Sequence, residues 1–390
     1  MSKYKIPYGR QHITQEDIDA VVKVLGSDFL TQGPKIDEFE RNFARYTGAE
    51  YAVAVSNGTA ALHLSLLAMG IKKGDNIITT PITFAATANA ARYIGAHVYF
   101  ADIDPANFVI SIDAIQLLID RHPKDFFKAI VPVDFAGYPV NTEKIRQIAN
   151  QNNLLILEDA CHAPGAYFID SQGNKQKAGN GIYSHTTAFS FHPVKHIAAG
   201  EGGMITTNDK NLYKKLRALR THGISKENMQ YKILNKEEQG EWYYEMHDLG
   251  YNYRITDIQA ALGNSQLQRA EEGLKRRQEI ARKYKDAFAE LPINMQKESK
   301  DIYNAHHLFV IEVKNRKELY NHLRKNGIFA QIHYIPVHLL DYYRQFGWKK
   351  GDFPVAEAYY EKTLSLPMYP SLTDDEQDYV IEQVKKFITK

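Results

Sequence analysis

T-A-F-S-F-H-P-V-K-H-I-A-A-G-E-G-G-M-I-T-T-N, Thr187 to Asn208, reads as strand, turn and strand. The apolar run Thr187–Phe191 ends at His-Pro, a single lysine follows at Lys195, Ala198–Gly203 is small and glycine-rich, and Met204–Thr207 closes the unit. A lysine is by default a solvated surface group. One fixed between two short strands and beside glycines is poorly placed for that. The functional reading is an amine held as a nucleophile toward a carbonyl, forming a Schiff base. The rest of the chain decides between the two.

Outward from this stretch, short apolar runs recur at Tyr51–Val55, Asn76–Thr80, His97–Ala101, Ala129–Val133 and Leu154–Leu157. With Thr187–Phe191 and Met204–Thr207 they make seven. Helical patterns lie between several of them, at Gly58–Met69, Ala85–Ile94, Asp113–Asp120 and Thr142–Asn152. Buried strands alternating with helices predict a mostly parallel α/β sheet covered on both faces.

Before the sheet, Thr14-Gln-Glu-Asp17 opens a helix with Ile18, Val21, Val22 and Leu25 on one face. Ser27–Pro34 is a loop, and a second helix carries Ile36, Phe39 and Phe43 and stops at Gly48. After Gly223, Ile224–Tyr244 is a long polar and aromatic excursion without a period. Thr256-Asp-Ile-Gln259 is a capping box opening one helical pattern that reaches roughly Glu290, long enough to bridge two domains. Beyond Pro292, His307–Val313 and Ile328–Ile332 read as strands, Lys317–Lys325 as a helix, and Thr373–Glu376 as the capping box of a last helix. The expected division is a large domain over residues 1–262 and a smaller α+β domain over residues 263–390.

The 390 residues are 44% apolar and 24% charged, enough for a sizeable core. Lys plus Arg number 48 against 46 for Asp plus Glu, so charge gives no reason to expect nucleic acid or a membrane surface as partner. One cysteine, Cys161, excludes an internal disulfide and points to a reducing, cytoplasmic setting. No apolar run approaches the roughly 20 residues a bilayer span needs, and the N-terminus has no signal-type apolar core.

Ligands of open α/β sheets sit beyond the carboxyl ends of the strands, and four features fall there. Ser56-Asn57-Gly58-Thr59 follows one strand and opens a helix, so its backbone N–H groups can face an anion; alone it is an ordinary capped turn. Glu158-Asp159-Ala160-Cys161-His162 follows another, and a carboxylate there can keep a pyridine nitrogen protonated or simply form a structural ion pair. Phe84, after the strand ending at Thr80, can lie over an aromatic ring or fill the core. Ser190 and Lys195 complete the set. Together these are a phosphate clamp, a stacking partner, a pyridinium counter-ion and a Schiff-base amine, the parts that pyridoxal 5′-phosphate requires. No metal ligand set is assigned.

The pattern resembles the DegT-type nucleotide-sugar aminotransferases. It does so through Phe29–Pro34 (F-L-T-Q-G-P), Ser56–Leu62 (S-N-G-T-A-A-L), Glu158–Ala163 (E-D-A-C-H-A), Ser190–Lys195 (S-F-H-P-V-K), Glu201–Gly203 (E-G-G) and Gly250–Asp257 (G-Y-N-Y-R-I-T-D). The resemblance runs from Tyr8 to about Tyr369. It implies the aspartate-aminotransferase-like fold (PLP fold type I), a mostly parallel seven-stranded sheet with a smaller C-terminal domain. It implies Lys195 as the catalytic lysine, Asp159 as the pyridinium partner, His162 at the phenolic oxygen, Phe84 as the stacking ring, and Gly58, Thr59 and Ser190 at the phosphate. Asn252 would reach that phosphate from a second subunit, so a homodimer with shared sites is implied.

Within the family the chain is most similar to the branch on the pseudaminic acid pathway that makes UDP-4-amino-4,6-dideoxy-N-acetyl-β-L-altrosamine, with L-glutamate as donor. The similarity rests on Tyr8, the threonine loop, and Gln331-Ile-His333-Tyr334 ahead of Pro336-Val-His338. It implies Tyr8, Thr31, Asn57, His333, Tyr334 and His338 as substrate-binding. Arg254 can bind a diphosphate or donor carboxylate, or form a structural ion pair. Alternatives are another nucleotide-linked 4-keto-6-deoxy sugar, such as the D-gluco isomer or a dTDP-sugar, and a non-catalytic sensor on the same fold. Family dehydratases carry histidine in place of the lysine, and Lys195 argues against them.

Overall fold

The computed structural model describes residues 5–226, 238 and 240–389. All seven expected strands form one sheet: β1 (Tyr51–Val55), β2 (Asn76–Thr79), β3 (His97–Phe100), β4 (Phe127–Ile130), β5 (Leu155–Asp159), β6 (Thr186–Ser190) and β7 (Gly203–Thr207). Their spatial order is β1-β7-β6-β5-β4-β2-β3. Strand β7 is antiparallel to both neighbours, and every other pairing is parallel. That one reversal matters for the site. Gly203, the first residue of β7, pairs with Val55 and Ser190, the last residues of β1 and β6. The β6–β7 connection carrying Lys195 therefore lies at the carboxyl edge, where ligands of such sheets bind.

The strands are apolar because helices cover both faces. The helix Gly58–Ala68 is apolar nearly all round and buries Ala60, Ala61, Leu62, Leu64 and Leu66. The helix Pro34–Thr47 puts Phe39 and Phe43 against Phe189 and Phe191 of the central stretch, and ends at Gly48 with φ of 90°.

A second core holds Ile280, Tyr284, Phe288, Phe309, Ile311, Leu364 and Val384, together with Ile6 from the N-terminus. Ile6–Pro7 pairs in parallel with Ile328–Phe329, so the start of the chain packs with its last third. The expected strand Ile328–Ile332 is shorter than its apolar pattern, and the sheet of this unit is Asn294–Met295, Phe309–Glu312 and Thr363–Leu366. Leu267, Ala270 and Leu274 pack with the layer beneath the large sheet, whereas Ile280 onward joins the second core. Leu308, Val310, Val337, Tyr343, Phe353, Ala356 and Tyr359 also join the core of the large sheet.

One expectation is corrected. The single helix from Thr256 is two, Asp257–Gln268 and Ala270–Phe288, broken at Arg269 (φ −115°, ψ 19°). The break turns the Arg269 guanidinium onto the buried Asp17 carboxylate and the His12 carbonyl. In the helix Gln15–Leu25, Val24 is buried, while Ile18, Val22 and Leu25 are 46%, 58% and 57% exposed. Ile13, Phe29 and Leu30, close by in the chain, are exposed as well. The excursion Ile224–Tyr244 is bracketed by a two-residue ladder, Ile224–Ser225 with Glu245–Met246; residues 227–237 and 239 of it lie outside the described residues. The short sheet of Tyr167–Ile169, Lys175–Lys177 and Ile302–Tyr303 had no sequence signal, since Lys-Gln-Lys has no apolar period.

Candidate active site

A cavity of about 510 Å³ opens at the carboxyl edge of the sheet. Asn57, Gly58 and Thr59 line it after β1, Thr83, Phe84 and Thr87 after β2, Asp159, Cys161 and His162 at the end of β5, and Ser190 at the end of β6. Lys195 enters from the β6–β7 connection. Tyr8, His307, His333 and Tyr334 close the far side.

The first corner is built by close packing of backbone. Asn57 caps the helix Gly58–Ala68, its Oδ1 accepting from the Ala60 N–H at 2.8 Å. The free N–H groups of the first turn face the cavity, a ready anion site. A Cβ on Gly203 would stand 2.4 Å from the Asn57 carbonyl oxygen, and one on Gly58 would stand 2.9 Å from the Ser190 Cβ. Both glycines are required by these contacts. Gly203→Ala is expected to force the turn outward at a cost of about 1–3 kcal/mol. A fall in melting temperature together with at least tenfold weaker cofactor binding, by equilibrium dialysis, checks it.

Asp159 is 4% exposed. Its Oδ2 accepts from the Thr87 hydroxyl at 2.6 Å, which is linked to the Thr83 hydroxyl at 2.7 Å, and its Oδ1 accepts from the Cys161 N–H at 3.2 Å. Behind it, Asp134 and Glu158 are both buried. Burial and the Glu158 charge raise the Asp134 carboxyl well above its ordinary range, and burial raises Glu158 against the donors Thr187, Gly179 and Ser184. The pair holds a proton that the unfolded chain releases, so it costs stability as pH rises from the ordinary carboxylate range. Asparagine mimics the protonated acid. The unfolding free energy of wild type minus that of Asp134→Asn is therefore expected to fall as pH rises, in urea titrations across pH.

Lys195 is half-buried in the cavity wall, its Nζ 3.5 Å from His307 Nε2. Burial lowers its pKa to about 8, while Cys161 and Asp159 pull it back up. His162 packs against His307, the ring centres 4.3 Å apart and the planes tilted by 38°, and burial drives both pKa values well down. The Ala136 N–H donates to His162 Nδ1 at 3.3 Å, so the neutral ring carries its proton on Nε2 and donates to the Tyr334 oxygen at 3.2 Å. Burial and the Lys195 charge bring His333 down to about 3; its Nδ1 lies 2.9 Å from the Ser365 hydroxyl, and its ring sits 5.1 Å from that of Tyr8. Phe84 is 62% exposed, 6.0 Å from the Tyr334 ring, so it is not a core aromatic.

The cavity thus gathers Tyr8, Asn57, Gly58, Thr59, Phe84, Asp159, His162, Ser190, Lys195, His333 and Tyr334. It does not gather Thr31, Asn252, Arg254 or His338. Thr31 bridges Thr256, and exposed Asn252 bridges Thr221. Arg254 is half-buried and lies off the lining. His338 is corrected outright: it is wholly buried, 3.0 Å from Glu357 and packed on Phe353, and ties its turn to the helix Pro354–Lys362. Asp257, from the last sequence motif, accepts the N–H groups of Gly33 and Lys35 at 2.7 and 2.9 Å, fastening the threonine loop. Thr83, Thr87 and His307 were not singled out from sequence. Among the described residues no group of three or more His, Cys, Asp or Glu could hold a metal ion.

A fixed lysine, an oriented buried carboxylate and a helix N-terminus at the carboxyl edge of this sheet define a pyridoxal-phosphate-dependent aminotransferase. The chain belongs to the DegT/DnrJ/EryC1/StrS aminotransferase family, whose model matches residues 11–385. It is 42% identical to the spore coat polysaccharide biosynthesis protein SpsC of Bacillus subtilis, over 98% of this chain and 97% of that one. Its fold matches Spr1654 of Streptococcus pneumoniae in its PLP-form (TM-score 0.88, 28% identity, 99% of this chain and 98% of that one). It also matches Helicobacter pylori PseC, an aminotransferase involved in the biosynthesis of pseudoaminic acid (TM-score 0.87, 30% identity, 99% of each chain). The cofactor is pyridoxal 5′-phosphate, and the glycine-lined corner, the Asp159 carboxylate and the open Phe84 ring fit it. No helix among the described residues is long and apolar enough to cross a membrane.

Proposed function

We propose that this chain moves the amino group of L-glutamate to the 4-keto carbon of a UDP-linked 4-keto-6-deoxy-N-acetylhexosamine, giving UDP-4-amino-4,6-dideoxy-N-acetyl-β-L-altrosamine. The observation that carries the chemistry is Lys195, an amine with a pKa of about 8 facing a cavity that Asp159 also lines. The sugar rests on the likeness to PseC.

When bound, the cofactor supplies the electron sink for proton removal at the donor carbon. In this reading Gly58, Thr59 and Ser190 would hold its phosphate, Phe84 would cover its ring, Asp159 would keep its ring nitrogen protonated, and His162 with Tyr334 would meet its phenolic oxygen. Lys195 would carry the proton removed from the donor carbon, work suited to an amine near its pKa. Tyr8, Asn57 and His333 face the sugar nucleotide. The exposed Ile18, Val22, Leu25, Phe29 and Leu30 are covered in a homodimer, which brings the partner copy's Asn252, Arg254 and Thr31 to the open mouth. The chain works in the cytoplasm.

One observation favours a second sugar: identity to SpsC, at 42%, exceeds that to PseC, at 30%. Another nucleotide-linked 4-keto-6-deoxy sugar, a D-gluco isomer or a dTDP-sugar, is that reading. Incubation with UDP- and dTDP-linked 4-keto sugars, with product configuration read by NMR, separates them. An axial amine on the UDP-linked L-sugar supports the first, and turnover of dTDP-sugars alone removes it.

A further inference from the structure

Arg277, on the helix Ala270–Phe288, is the largest of the fully buried side chains and is 1% exposed. Charged side chains are almost never fully buried unless paired. Its Nη1 donates to the carbonyls of His306, His307 and Met368 at 3.1, 3.2 and 3.1 Å. Its Nε and Nη2 have no hydrogen-bond partner among the described residues. Burial lowers its pKa to about 9. Exchanging it for an apolar side chain would leave three buried carbonyls without this donor.

Two of these carbonyls lead to the cavity lining, at His307 and, through Met368, at Tyr8. His307 faces Lys195 at 3.5 Å. The Met368 N–H donates to the Tyr8 carbonyl at 2.9 Å. Between them His306 sits at φ 47°, left-handed backbone that a non-glycine residue adopts only when held. The Asn304 side chain accepts its N–H at 2.8 Å, and Arg277 holds its carbonyl.

We propose that Arg277 is a positioning residue for the reaction centre, setting His307 against Lys195 and Met368 behind Tyr8 while keeping an unpaired positive charge behind the lysine. This rests on Lys195 being the reacting amine. Burial acts most strongly on Lys195 and favours the free amine, Cys161 and Asp159 at the end of β5 favour the ammonium, and Arg277 adds a smaller push toward the free amine. Of the histidines around it, His162, His196, His307 and His333 have lowered pKa values, as does His192 on its own loop.

The test reads the pH midpoint for reductive methylation of Lys195 in cofactor-free protein, by peptide mass spectrometry, so it does not depend on turnover. Arg277→Met is expected to move the midpoint up by about 0.5 pH unit, about threefold less free amine at a given pH. Arg277→Lys keeps the charge and should stay within about 0.3 unit of wild type, with kcat/KM for the sugar lowered about tenfold as His307 and Tyr8 lose their common anchor. An unmoved midpoint in Arg277→Met overturns the proposal. Should that variant not fold, Arg277→Lys decides alone: wild-type kcat/KM overturns it. A wild-type midpoint at the ordinary lysine value would instead remove Lys195 as the reacting amine, and Arg277's role with it.

Discussion

Lys195→Ala is expected to fold and to keep its phosphate corner while losing transamination by about 10³-fold or more. Two functions leave with one amine: covalent capture of the cofactor and proton transfer at the donor carbon, the second alone contributing about 10²–10⁴-fold. Stability should hardly change, because Lys195 is half-buried at a cavity wall and its one side-chain hydrogen-bond contact among the described residues is the 3.5 Å approach to His307. Circular dichroism and a coupled glutamate assay separate the two effects. Activity within tenfold of wild type would place the chemistry on another residue.

Asp159→Asn carries the second large effect. The two oxygens of Asp159 are aimed by Thr87 and the Cys161 N–H, so asparagine keeps the shape and removes the charge. Without it nothing holds the proton on the ring nitrogen, and the electron sink weakens. Loss of one such preorganised electrostatic partner costs about 10²–10³-fold in kcat. The expected signature is a fall in kcat with cofactor still bound, because the phosphate corner lies apart from Asp159. A near-wild-type kcat would assign Asp159 a structural role.

Much of this was legible in the chain because its strands are buried on both faces. Such strands read as unbroken apolar runs, and all seven were visible. Lys195 and Asp159 stood out because strand ends in this kind of sheet are where chemistry sits. What stayed hidden has a physical reason in each case. The Arg269 break depends on Asp17, far along the chain. His307 reaches Lys195 from 112 residues away, carried by the second unit. The period of the Gln15–Leu25 helix showed which face is apolar but not what covers it. His338 carried the same local pattern as His333, yet Glu357 and Phe353 enclose it.

The most direct test of the central claim is borohydride reduction of the cofactor-loaded protein followed by peptide mass spectrometry. The account predicts a phosphopyridoxyl group on the peptide holding Lys195, and none after prior treatment with glutamate. A modified lysine elsewhere, or no modification, would contradict it.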